Sequence, residues 1–384
     1  MNPGVTLSYC SFIIDFLRSN AKKFGFVPVL LTTITPAYAD QFDTLNYIGS
    51  VAVDYDDNIY RLPSGADPQS LIGKSTKSDL IKIATLGINL DKKYSNLVLS
   101  GGSLKAISFI GCLKYLEEIG QVKNLQSLIG SSAGAIFSFL IALGYNSTEI
   151  TKEFKDAILK YKEYDIDIDR LINIYEYIGI DDGLFFENLC RSWLKNKLNC
   201  DTITFIDFAK QTGKNLVICA SNIVNRKETY FSLDTTPNMC VLFALKASIA
   251  IPLVFTPVIL KTDKEYAIYV DAGLFNNFPL DYLKKSVLQN TLGFKISYNP
   301  VIPQNLNLFN YLNLIMDATF DKLNQKNEDD VDNITIVTIP DKYGDYFCFD
   351  INTLKFKMDV DQIDKYVEHG YTQSKSKILL HVGL

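Results

Sequence analysis

The sequence predicts an α/β protein built on a mainly parallel sheet, on three observations. From Asn96 onward, short apolar strand-like runs alternate with stretches of helical spacing. Glycine-rich turns at 100–106 and 130–134 join a strand to the helix after it, as right-handed βα units require. With 384 residues, 47% of them hydrophobic, the chain can bury one large core or two ordinary ones.

Taken in order, residues 1–93 read as an N-terminal extension distinct from the rest of the chain. "KKFGFVPVLLTTITPAYAD" (22–40) has paired lysines, an apolar run and Ala-Tyr-Ala at 37–39, the parts of a secretory signal. Asp15 and Arg18 lie upstream of it, and Pro28 and several threonines dilute its core, so a strand or loop packed on the main domain is the preferred reading. "SVAVDYDDNIYRL" (50–62) alternates apolar and polar residues around Asp56, Asp57 and Asn58, a hairpin signal. The Pro/Gly/Ser-rich stretch 61–78 reads as a connecting loop. The main domain then spans about 94–380. "NLVLS" (96–100) is a buried strand, 104–120 a helix ended by Gly120, 126–130 the next strand and 133–143 the next helix. Thr148 is expected to cap a polar helix that runs to about Tyr164 with Glu149 in its first turn. Residues 215–223, 265–273, 292–297 and 333–339 supply further strands, and no internal repeat is visible.

Composition narrows the function. The net charge of −5 implies no basic surface for nucleic acid. Seven cysteines without a C-x-x-C read as reduced cytosolic thiols rather than disulfides or a zinc site. The apolar run 128–143 is shorter than the roughly 20 residues that span a bilayer, and reads as a buried central helix.

Three places carry chemistry. "SGGSLKA" (100–106) turns from a buried strand into a helix, which aims the N–H groups of Gly101, Gly102 and Ser103 outward where negative charge is favoured. That suits an oxyanion hole, although an ordinary tight turn has the same composition. "SLIGSSAGAIF" (127–137) contains Gly-x-Ser-x-Gly at Gly130, Ser132 and Gly134, between a strand and an apolar helix. This is the setting of a nucleophile elbow, whose glycines permit a strained turn and close helix–strand approach. Ser131 sits at the variable position of the pattern. "YVDAGLFNNFPL" (269–280) ends a strand at Asp271, where α/β folds place active-site groups; a lone turn-capping aspartate is the ordinary alternative. A nucleophilic serine usually takes histidine as its base, but this chain has only His369 and His381, both far along the sequence from Ser132.

These elements, in this order, resemble the patatin-like phospholipase family over residues 96–280. The family's first glycine motif stands here as Ser100-Gly101-Gly102-Ser103-Leu104-Lys105-Ala106, the nucleophile motif at Gly130, Ser132 and Gly134, and the aspartate element as Asp271-Ala272-Gly273 followed by Asn-Asn-Phe-Pro. "ASIAIPLVFTP" (247–257) is similar to the family's Ala-Ser-x-Ala-Ile-Pro segment. The resemblance implies a three-layer fold with flanking helices and a Ser132–Asp271 dyad that needs no histidine. It implies an oxyanion hole at Gly101, Gly102 and Ser103, with Lys105, Gly130, Gly134 and Gly273 as supporting motif residues. No metal or cofactor is implied. The expected substrate is phospholipid or another acyl lipid, cleaved through an acyl-enzyme by a cytoplasmic protein that touches membranes peripherally. Ser103, Ala106 and Ala272 depart from the family's glycines, which keeps two alternatives open: an esterase or thioesterase on soluble acyl substrates, and an inactive lipid-binding relative. A positive φ at Ser103 would strain it.

Two further patterns fail on their own chemistry. "PQSLIGKS" (68–75) has Pro68 where a phosphate-binding loop needs glycine. Asp165, Asp167, Asp169 and Glu176 have calcium-loop spacing, but Arg170 stands where that loop needs glycine.

Overall fold

A computed structural model describes residues 26–29, 51–54, 59–61, 93–163, 176, 178–262, 266–297, 311, 335–340, 349–350, 355–356 and 359–381. The chain divides into two compact units, Met1–Asp91 with Leu379–Leu384, and Lys92–Ile378. In the first unit, β1 (Phe26–Val29) pairs antiparallel with β2 (Val51–Asp54), which pairs antiparallel with β3 (Ile59–Arg61). The β2–β3 register sets Val53 opposite Ile59 and Val51 opposite Arg61, across the turn read from Asp56 to Asn58. That turn, the loop at 62–78 with its "PQSLIGKS", and the calcium-like spacing at 165–175 lie outside the described residues.

In the second unit, the strands β4 (Asn96–Leu99), β5 (Ser127–Ser131), β7 (Asn215–Asn222), β12 (Thr291–Ser297) and β13 (Thr335–Pro340) form the centre of an eight-stranded sheet. All of their ladders are parallel, in the order β7-β5-β4-β12-β13. The sheet is antiparallel only beyond β7, where β8 (Lys227–Ser232), β11 (Tyr266–Val270) and β10 (Val258–Lys261) join it. β6 (Gly179–Asp181) and β9 (Leu253–Phe255) pair separately.

Helices flank this sheet: α1 (Ser108–Glu118), α2 (Ala133–Ala142), α3 (Ser147–Glu163), α4 (Leu184–Leu198), α5 (Phe205–Thr212), α6 (Val241–Ser248) and α7 (Val360–His381). One sheet face buries Val98, Ile129 and Val217, neighbours in register, beneath Phe278, Leu280 and Leu288. Each such burial stabilises by about 1.5–3 kcal/mol, so the segment after Asp271 is held down by its own apolar residues. On the opposite face lies α2. An added Cβ on Gly134 would sit 2.4 Å from the Leu99 carbonyl oxygen, and one on Gly130 would sit 2.3 Å from the Gly134 carbonyl oxygen. Both glycines are required by this close helix–strand approach.

One expected cap is corrected. α3 starts at Ser147, and its reciprocal capping pair is Asn146 and Glu149, not Thr148. Asn146 Oδ1 accepts from the Glu149 N–H and Glu149 Oε2 accepts from the Asn146 N–H, each at 2.9 Å. An asparagine followed three residues later by glutamate satisfies two orphan donors at once, which a threonine inside the helix's first turn cannot do.

Candidate active site

The site forms where β4, β5 and β11 end. Ser132 caps α2 with φ 52° and ψ −127°, outside the helical region, in the turn its flanking glycines allow. Non-glycine residues in such conformations cost of order 1–3 kcal/mol and persist only where the surroundings enforce them. The Ser132 Oγ–H donates to Asp271 Oδ2 at 2.6 Å. Ser131 is wholly buried, and its hydroxyl donates to the Asn276 carbonyl at 2.8 Å, so its oxygen is committed to holding the turn.

Asp271 follows β11 and is 4% exposed. Its Oδ1 accepts from the Gly273 N–H at 2.8 Å. Burial pushes the Asp271 carboxyl up to about 6, against the opposing pull of the hydrogen bonds from Ser132 and Gly273. A carboxylate in that range is poised to exchange a proton near neutral pH. The group bonded to the Ser132 hydroxyl is this aspartate and not a histidine. Both histidines lie on α7, which packs against α1 through Gly370 and Ser108. Among the described residues, no three His, Cys, Asp or Glu side chains are grouped to hold a metal ion.

The glycine turn differs in part from expectation. The Gly101 N–H donates to the Asn277 carbonyl at 2.9 Å, so it is not an oxyanion donor. Gly101 is instead a point of close approach, because an added Cβ would meet Asn277 Oδ1 at 2.1 Å. Among the described residues, the N–H groups of Gly102, Ser103 and Ala133 have no acceptor. Ala133, directly after Ser132, starts α2 and therefore carries an orphan N–H. In a nucleophile elbow the residue after the serine supplies an oxyanion donor, a signal present in the sequence that the glycine turn alone does not reveal. Ser103 has φ 48°, in the region that strains a non-glycine residue. Lys105, Ala106 and Ala272 are buried, the first two in the short helical turn Ser103–Ile107. The two alanines are accommodated in place of glycines.

The Asn276–Pro279 turn ties these parts together. Besides taking the Ser131 hydroxyl and the Gly101 N–H on its carbonyls, it is anchored by Asn276 Nδ2, which donates to Asp281 Oδ1 at 2.6 Å. The Tyr230 hydroxyl donates to the same carboxylate oxygen at 2.7 Å.

An apolar cavity of about 80 Å³ opens at Ser132, walled by Ser103, Ala133, Ile136, Phe137 and Phe154 among others. A second, of about 60 Å³, shares Leu104, Ile136, Phe154 and Phe186 with it and continues to Trp193. Phe154 stacks between Phe137 and Trp193 at centroid distances of 5.0 and 5.9 Å. A serine hydroxyl bonded to a buried carboxylate, N–H groups without an acceptor among the described residues and an adjoining apolar cavity meet here. No described helix is long and apolar enough to cross a membrane.

Residues 97–284 match the family model described as patatin-like phospholipase. The chain is 35% identical over 198 residues to probable lipid hydrolase 463L of Invertebrate iridescent virus 6, covering 50% of this chain and 63% of that protein. It is 30% identical over 217 residues to YqhO, an uncharacterized protein of Bacillus subtilis, covering 53% and 72% of the two chains. The crystal structure of VipD from Legionella pneumophila is similar with a TM-score of 0.44 at 17% identity, over 87% of this chain and 70% of that one. This chain belongs to the patatin-like phospholipase family, a class of lipid acyl hydrolases. It spans just under two thirds of the length of the viral lipid hydrolase.

Proposed function

We propose that this chain cleaves fatty-acyl esters of phospholipids or related lipids through Ser132 as nucleophile and Asp271 as base. The observation that carries the reading is the 2.6 Å Ser132–Asp271 hydrogen bond at the mouth of the apolar cavity. Ser132 Oγ attacks the ester carbonyl while its proton passes to Asp271 Oδ2. The carbonyl oxygen becomes an oxyanion facing the N–H groups of Gly102, Ser103 and Ala133, in an arrangement where one donor is worth roughly 3 kcal/mol. Collapse breaks the ester C–O bond, and the departing lysolipid or alcohol takes the proton from Asp271. Water, deprotonated by Asp271, then attacks the acyl-Ser132 ester; the fatty acid leaves and Ser132 regains its proton. Backbone donors and a raised carboxyl supply every step, so the mechanism calls for no metal.

The cellular setting proposed is cytoplasmic, with transient contact at a membrane surface where the substrate resides. The test is a fluorophosphonate probe with the full chain. Wild type is expected to label and to release fatty acid from phosphatidylcholine vesicles, and Ser132→Ala to do neither while keeping its melting temperature. Labelling and turnover that survive in Ser132→Ala sink the assignment. Labelling of wild type with turnover of short soluble esters but none of vesicles favours the esterase reading, and silence in all three favours an inactive binder.

A further inference from the structure

The segment from Ser248, the last residue of α6, to Ile251, ahead of β9, touches both members of the dyad and the cavity in alternation. Ser248 is fully buried, and its Oγ accepts the Ser132 N–H at 2.8 Å. The Ala250 carbonyl accepts the Asp271 N–H at 2.8 Å. The side chains of the two residues between and after them, Ile249 and Ile251, wall the cavity at Ser132. The segment is tightly folded on itself, since the Ile249 carbonyl accepts the Ile251 N–H and the Ile251 carbonyl accepts from Val254 and Phe255.

We infer that Ser248 is a positioning residue and that Ser248–Ile251 is a strap through which a bound acyl chain sets the alignment of the dyad. The inference rests on the acyl-hydrolase reading above. Ser132 holds a left-handed conformation that its own side chain disfavours, and the Ser248 bond is the contact that fixes its backbone from outside the elbow. Removing the acceptor leaves a buried N–H unpaired and frees the turn to relax. An acyl chain that reaches Ile249 and Ile251 packs the strap from the cavity side, holding Ser248 against Ser132 and Ala250 against Asp271. Binding energy from a part of the substrate remote from the ester is thereby spent on orientation, and appears in kcat rather than in KM. A short acyl group leaves the strap unsupported.

The experiment compares kcat and KM for p-nitrophenyl acetate and p-nitrophenyl octanoate in wild type, Ser248→Ala and Ile251→Ala. Wild type is expected to turn over octanoate with the higher kcat. Folded Ser248→Ala should lose about tenfold or more in kcat for octanoate, by analogy with one unmade buried hydrogen bond, with KM within about twofold. Ile251→Ala should lose the octanoate advantage, its octanoate-to-acetate ratio of kcat falling toward one, and this arm stands alone should Ser248→Ala fail to fold. The strap is overturned by a folded Ser248→Ala with wild-type kcat, by a loss carried by KM alone, or by an octanoate advantage in kcat that Ile251→Ala leaves intact. Failure of the underlying reading is separate: there wild type does not label with fluorophosphonate at all.

Discussion

Two turns at the sheet end hold a serine in the left-handed region, and they are built on different terms. Ser132 (φ 52°) is gripped on every side: Gly130 and Gly134 let helix and strand close on it, Ser248 takes its N–H, and Asp271 takes its hydroxyl. Ser103 (φ 48°) is partly exposed at the cavity, and its side chain has no hydrogen-bond partner among the described residues. A positive φ is therefore held by contacts on every side in the first turn and, in the second, stands where the family motif has glycine. A positive φ at one residue can be pinned by its surroundings while one at a neighbouring turn is not; the contacts around each show which.

The largest expected effect lies at the gripped turn. Asp271→Asn should lower turnover by at least about a thousandfold, since an amide cannot take the Ser132 proton and units of this kind fail together. Wild-type kcat/KM should rise as pH climbs through about 6 and level off above it, because only the carboxylate accepts the proton. Stability moves the other way. The folded state raises this carboxyl, so it holds the proton more tightly than the unfolded chain does, and the stability linked to that proton is lost as pH rises from about 4 to about 6. Asp271→Asn, with no charge to bury, is expected to melt no lower than wild type at pH 8; a clearly lower melting temperature there, with activity flat in pH, breaks the account of Asp271 as a strained base.

Next comes the other turn. Ser103→Pro removes an N–H and, with its φ locked near about −65°, cannot hold the φ of 48° found there, so it should cost at least about a hundredfold in kcat. Circular dichroism must first show the variant folded, and wild-type turnover in a folded Ser103→Pro rules its N–H out of the hole. The smallest effect sharpens the comparison most: Ser103→Gly keeps the donor and relieves the strain, so activity should hold or rise slightly and the melting temperature should not fall. A hundredfold loss in that variant means the Ser103 hydroxyl itself acts, and the two turns are then alike after all.

The serine turn, the strand end at Asp271 and the parallel centre of the sheet were legible because they rest on local patterns: glycines flanking a serine, strand-to-helix junctions, and an aspartate at a strand end; the pairing of Ser132 with Asp271 came only from the family resemblance. What stayed hidden depends on contacts between distant segments. The Gly101 N–H looked free in a glycine turn because nothing near it in the chain takes it; the Asn277 carbonyl that does is supplied by tertiary folding. Ser248 was visible only as part of an Ala-Ser-x-Ala-Ile-Pro segment, and its role emerges only where the fold carries it to Ser132. The α3 cap was misplaced for a different reason: both Asn146 and Thr148 are acceptable capping types, and the pairing with Glu149 decides between them. The antiparallel strand β8 was not assigned, since its residues are mostly half-exposed and lack the continuous apolar run of the buried strands.

Ser132 and Asp271 stand 139 residues apart in the chain, and the Ser100 hydroxyl that steadies the glycine turn is reached from β12 by the Ile296 N–H at 3.0 Å. No half-made chain can therefore bring the parts together. Emerging from the ribosome, it carries Ser132 without Asp271, and later both without a finished glycine turn, until residues 291–297 insert beside β4. On the proposed mechanism the chain is inert for most of its own synthesis and becomes competent only when β12 joins the sheet.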